Sequence, residues 1–171
     1  QRQMCIRDRN MVSFILFNLS MILFFLVGIS FLLVPVLFKE NKYTFILAII
    51  GSLFFFVGSI FFAGVGFTPY DLYLDLHIFF ALNSFQLMVP ASLLYLIVFL
   101  RSSLSFKYSI VIAFFLLSVS LYVIYLNFGE SPFNSKEALI LSASIQKYIA
   151  FLSVASIFSL TFGFSQLLNK Y

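Results

Sequence analysis

Charge is scarce in this sequence, and that scarcity decides its class. Asp, Glu, Lys and Arg make up 9% of the 171 residues, while 63% are hydrophobic. Folded soluble domains carry roughly a quarter of their residues as charges to wet their surface. This chain, with a mean hydropathy of +1.10, cannot cover itself with polar groups, so its solvent is lipid. There is one histidine and one cysteine. A zinc site takes three or four His, Cys or carboxylate ligands, and no His-x-x-x-His or Cys-x-x-Cys spacing supplies them, so no metal site is expected. Cys5 alone cannot close an internal disulfide and says nothing of redox compartment. Glycine-rich phosphate loops, a Gly-x-Ser-x-Gly elbow and the kinase and dinucleotide fingerprints are missing, so no cofactor is expected.

The basic residues do not form a stripe or a contiguous cluster of the kind that binds nucleic acid or anionic lipid. The formal net charge of +4 is spread singly near the ends of apolar runs, as topology signals are. The 26 phenylalanines reflect A+T-rich DNA as readily as any aromatic function. Residues 1–10 read as a non-native or disordered leader. The start, Gln1 to Arg9, looks like a translated sequencing adapter; the alternative is a genuine basic segment beside the membrane. Without its three arginines and Asp8, the net charge falls from +4 to +2.

What the chain has is long apolar runs. A helix crosses a bilayer core with about 20 apolar residues, and five runs qualify: Phe14–Phe38, Tyr43–Phe67, Leu76–Leu100, Tyr108–Phe128 and Tyr148–Leu168. The last is preceded by a helix-prone stretch from Lys136. The expected fold is therefore all-α: a polytopic transmembrane helical bundle, residues 11–171 forming one domain. Connections are short. Gly129 suits the end of the fourth helix and Pro132 blocks its continuation. Asn134 with Glu137 reads as a capping box opening the last helix. Lys39, Lys42, Arg101, Lys107 and Lys170 fall on one side of the membrane, which the positive-inside rule makes cytoplasmic. The N-terminus of this sequence is then outside and the C-terminus inside, in a membrane expected to be prokaryotic.

The densest polar stretch lies between the second and third runs and holds Asp71, Asp75 and His77. Lys147 enters the last run from the same side. Together these four form a candidate outer-face polar cluster. Lysine can snorkel at the interface, and pairing of Lys147 with Asp71 or Asp75 would tie the last helix to the turn. The plainer alternatives are a solvated turn, a histidine capping a neighbouring carbonyl or carboxylate, and Asp75 as N-cap of the third helix. Within that helix Asn83, Ser84 and Gln86 are candidate intramembrane polar residues near Pro90. Such groups usually hydrogen-bond across helices; a polar ligand cavity is the competing reading. His77, Ser84 and Met88 share a helix face. Small residues recur at close spacing in the second run (Ala48 with Ser52, Ser59 with Ala63, Gly51 with Gly58) and in the last (Ala155, Ser159, Gly163). Such stripes let helices approach. They predict contact between these two spans or, alternatively, pairing with a second copy or another membrane protein.

From the second run onward the pattern resembles the domain of unknown function 998 family of prokaryotic six-span membrane proteins. It is more distantly similar to the eukaryotic DRAM/Sfk-like membrane proteins. The resemblance rests on Gly64-Val65-Gly66-Phe67-Thr68-Pro69-Tyr70-Asp71 closing a span, on Leu76-His77 opening the next with Ala81 following, and on Gln146-Lys147 before the last. Thr68 before Pro69, and Gln146-Lys147 in place of an acidic-basic pair, depart from the family pattern. The resemblance implies a sixth span upstream and a chain truncated at its start. It lends no activity. Three functions compete: a non-enzymatic sensor, scaffold or accessory bundle; a lipid-handling or lipid-modifying enzyme with an outer-face site; and a small transporter. The reading leans away from an enzyme, with no catalytic residue assigned. A transporter is disfavoured because no internal repeat is visible and only the third span looks broken.

Overall fold

The computed structural model describes residues 11–69, 72–130 and 134–169. Among them the structure is all helical. Five helices are long and apolar enough to cross a membrane: α1 (Met11–Phe31), α2 (Lys42–Phe67), α3 (Leu74–Leu100), α4 (Phe106–Phe128) and α5 (Lys136–Leu168). The leader, Asp71, Pro132 and Lys170 lie outside the described residues.

The first apolar run is not one helix. α1 stops at Phe31, and the chain continues as a 3-10 helix over Val34–Phe38 with Pro35 in its first turn. Proline has no N–H to donate and clashes with the preceding turn of an α-helix. Hydropathy alone, which continues unbroken through Phe38, does not register this. Asn41 then opens α2, its side chain accepting from the N–H groups of Tyr43 (2.9 Å) and Thr44 (3.4 Å).

Two expected caps are corrected. Ser135, not Asn134, caps α5, its hydroxyl accepting from the Ala138 N–H at 3.0 Å. The helix begins one residue later than a capping box from Asn134 to Glu137 requires, and serine is as good an N-cap as asparagine. Tyr73, not Asp75, is the N-cap of α3; Asp75 sits in the first turn, where its charge suits the positive end of the helix dipole. Gly129 does cap α4, in an extended conformation. α5 runs unbroken through the Lys136 stretch. At 33 residues it is about 50 Å long, well beyond the ~30 Å hydrocarbon core.

Successive helices pack against each other: α1 on α2, α2 on α3, α3 on α4, α4 on α5. α5 comes back to the 3-10 segment, which closes the ring at one end. Lipid tails are as apolar as leucine, so close packing rather than hydrophobic exclusion must hold these helices together. Glycine enables it at two places. A Cβ on Gly28 of α1 would land on the Ser59 side chain of α2, and one on Gly58 would reach Met88 Cε at 2.5 Å. The small-residue stripes therefore act, but not on each other. Gly51 and Gly58 receive α3, while Gly163 receives Tyr108 of α4. The backbones of α2 and α5 do not approach, so the expected contact between the second and last spans is not made. In the last span only Gly163 of the stripe is buried, against a sequence neighbour, while Ala155 is exposed.

Aromatic rings fill the interior. Phe31 stacks on Phe55 with centroids 4.3 Å apart, and Phe24 meets Phe62 edge-on at 4.9 Å. Phe62 meets Phe85 at 5.2 Å, and Phe85 meets Tyr122 at 4.8 Å. These offset and edge geometries are the favoured ones. They string α1, α2, α3 and α4 together, so part of the phenylalanine excess is structural.

Candidate functional site

The turn between α2 and α3 is built from its own hydrogen bonds. At the end of α2, the Thr68 N–H and hydroxyl both donate to the Gly64 carbonyl, at 3.1 and 2.8 Å. Pro69 directs the chain out of the helix, and its carbonyl accepts from the N–H groups of Leu72 and Tyr73. His77, one turn into α3, places Nδ1 2.6 Å from the Thr68 carbonyl. A carbonyl can only accept, so Nδ1 carries the proton. The imidazole thus fastens the start of α3 to the last residue of the α2 turn. Threonine before Pro69 supplies both the capping hydroxyl and the carbonyl that His77 holds.

Two other members of the expected cluster are described. Asp75 is exposed on the first turn of α3, and Lys147 is exposed on α5. The backbones of α3 and α5 stay apart, although the Phe99 and Phe164 rings meet at 6.0 Å, and no ion pair joins Asp75 to Lys147. Asp71 lies outside the described residues. Among those residues no group of three or more His, Cys, Asp or Glu side chains is placed to hold a metal ion.

The polar residues of α3 look inward to their own helix. Asn83 Nδ2 donates to the Phe79 carbonyl at 2.7 Å, and Ser84, fully buried, donates to the Ala81 carbonyl at 2.7 Å. Gln86 is exposed on the outside of the bundle. Hydrogen bonding between helices falls on residues the sequence did not single out for it. Ser52 of α2 donates to the Phe31 carbonyl at the end of α1 (2.7 Å) and lies 2.5 Å from the Tyr95 hydroxyl of α3. Ser52 was visible only as half of a small-residue pair with Ala48. Tyr95 stands eleven residues beyond Ser84, on the same face of α3, and that register was the available signal.

A cavity of about 30 Å³ lies at the centre of the bundle, bounded by Phe24, Phe55, Met88, Tyr95, Phe115 and Leu160, with Ser92, Ser153 and Ser156 among the lining. That is about the volume of one water. Ser92 and Ser153 donate to carbonyls of their own helices. None of Asp75, His77, Asn83, Ser84, Gln86 or Lys147 reaches this cavity. Toward the opposite end from the 3-10 segment, the hydroxyls of Tyr122 and Tyr125 are buried without a hydrogen-bond partner, Tyr122 beside Ser142 and Gln146 of α5.

Compared with protein-family models, curated proteins and solved structures, the chain gave no match.

Proposed function

We propose that this chain is a non-enzymatic integral membrane bundle that works as a sensor, scaffold or accessory subunit. One observation supports this above others: Asp75 and Lys147 are exposed on helices whose backbones do not approach, and neither they nor His77 line the central cavity. General acid–base work requires donor and acceptor groups within hydrogen-bond reach of one reacting atom. The bond from His77 Nδ1 to the Thr68 carbonyl ties α3 to α2. The small, mostly apolar central cavity also offers no polar path to Asn83 and Gln86, which a transporter reading needs. On the positive-inside rule we assign the end bearing Lys39, Lys42, Arg101 and Lys107 to the cytoplasm. We also read the turn from Gly64 to Asp71 and the pair Gln146-Lys147 as marks of kinship with the domain of unknown function 998 family.

Two assays together test the function. The full chain is reconstituted into vesicles of mixed phospholipids, and lipid products are followed by mass spectrometry. In parallel, source cells lacking the gene are complemented with Asp75→Asn/His77→Gln/Lys147→Gln. The proposal expects no lipid turnover, and complementation equal to wild type at equal membrane abundance. Turnover by the wild type that the triple variant loses would establish an enzyme instead.

A further inference from the structure

The fold gathers what the sequence scatters. Lys39 and Lys42 flank the break between the 3-10 segment and α2. Arg101, from the end of α3, places its guanidinium 4.7 Å over the Tyr43 ring, and Lys107 opens α4 at the same end. Glu40 offsets one of these charges. Between the 3-10 segment and the first half of α2, the two elements that Lys39 and Lys42 join, is an apolar groove of about 300 Å³, open to the side of the bundle. One wall is Leu32, Pro35 and Val36; the other is Phe45, Ile49 and Leu53. Ser52 lies at its floor, with its hydroxyl engaged by the Phe31 carbonyl and Tyr95. The groove therefore presents hydrocarbon to its occupant and no unpaired polar group.

The register places one lysine over each wall. Lys42, Phe45 and Ile49 recur at helical spacing on one face of α2. In a 3-10 helix residues three apart eclipse, so Lys39 stands over Val36. From Lys42 to Leu53 the groove extends about 16 Å, about half of the ~30 Å hydrocarbon core. It is one leaflet long and ends midway along α2. A transmembrane helix would need a seam running the whole length of α2; a single acyl chain needs only this.

We infer that this groove binds one anionic phospholipid, with an acyl chain along Val36 and Ile49 and the headgroup phosphate between Lys39 and Lys42. The chemistry combines a cation pair at headgroup level with a leaflet-deep apolar channel beneath it. It holds whichever function the bundle serves, since it uses none of the outer-face residues.

The test is native mass spectrometry of the full chain released from micelles containing dioleoyl phosphatidylglycerol or dioleoyl phosphatidylcholine, with glycerol 3-phosphate as a free-anion competitor. Wild type is expected to retain one phosphatidylglycerol in preference to phosphatidylcholine, unaffected by the competitor. Lys39→Gln/Lys42→Gln should weaken retention by about fivefold per lysine. Ile49→Trp and Val36→Phe, which fill the groove from opposite walls, should each abolish it. Lys107→Gln, at the same end but away from the groove, should not. All variants are compared at matched helical circular dichroism, so a misfolded protein is not scored. Equal retention of the two lipids, or retention surviving both groove-filling variants, overturns the inference. So does displacement by glycerol 3-phosphate, which would mean a free phosphate ligand. A dimer that Ile49→Trp dissociates would mean that a second copy fills the groove.

Discussion

At the scale of single residues, three buried tyrosine and serine hydroxyls make opposite predictions. Tyr95 and Ser52 satisfy each other between α2 and α3. Interhelical hydrogen bonds in membranes contribute about 0.6–2 kcal/mol, and stranding a buried partner costs about 1–3 kcal/mol. Ser52→Ala and Tyr95→Phe should each destabilise the bundle by about 1–3 kcal/mol. The Tyr122 hydroxyl is buried beside Ser142 and Gln146 with no hydrogen bond of good geometry to either. Tyr122→Phe should be neutral or stabilising, because it removes a desolvated polar group while keeping the ring packed on Phe85. Thermal unfolding in detergent, followed by circular dichroism, reads all three. Loss of stability in Tyr122→Phe comparable to that in Tyr95→Phe would show that its hydroxyl is engaged after all.

At the scale of helices and their contacts, the two close approaches differ in what can give way. The obstacle to a methyl on Gly28 is Ser59, a short side chain tied to the carbonyl of Phe56 at 2.7 Å. The obstacle at Gly58 is the tip of Met88, which has three rotatable bonds and can swing aside. Gly28→Ala should therefore cost about 1–3 kcal/mol, the usual price of overpacking, and Gly58→Ala clearly less; the same melts decide it. The existence and approximate extent of all five helices were legible, because the signal is a run of apolar residues against a background of rare charge. Their partners were not. The small-residue stripes on the second and last spans showed that something packs closely there, but a stripe carries no label for what fills it. The break at Pro35 was hidden because hydropathy continues through it. The role of Ser52 was hidden because a serine that fills space and one that donates across a helix pair look alike in a sequence. At the turn between α2 and α3, His77 stood out by rarity, but the Thr68 carbonyl that its Nδ1 meets is a backbone atom that no side-chain motif can announce.

At the scale of the whole molecule, cysteine labelling tests the proposed orientation. With the basic end assigned to the cytoplasm, Ser103→Cys should react with a membrane-impermeant maleimide only in opened cells. Asn134→Cys should react in intact ones, both in a Cys5→Ser background. The reverse pattern inverts every assignment of face made above. One further property follows from how the ring of helices is joined. α1 and α5 meet through the Phe31 and Phe164 rings and the adjoining 3-10 segment, while farther along their backbones stay apart. Four seams thus carry close backbone contact, while α5 is held across the fifth by side chains: the Phe164 ring meets Phe31 and Phe99, and Leu160 shares the central cavity with Phe24. A lateral force from the surrounding bilayer, such as tension or a change in thickness, would be borne at this seam largely by ring packing. One of the rings that would bear it, Phe31, also lends its carbonyl to Ser52.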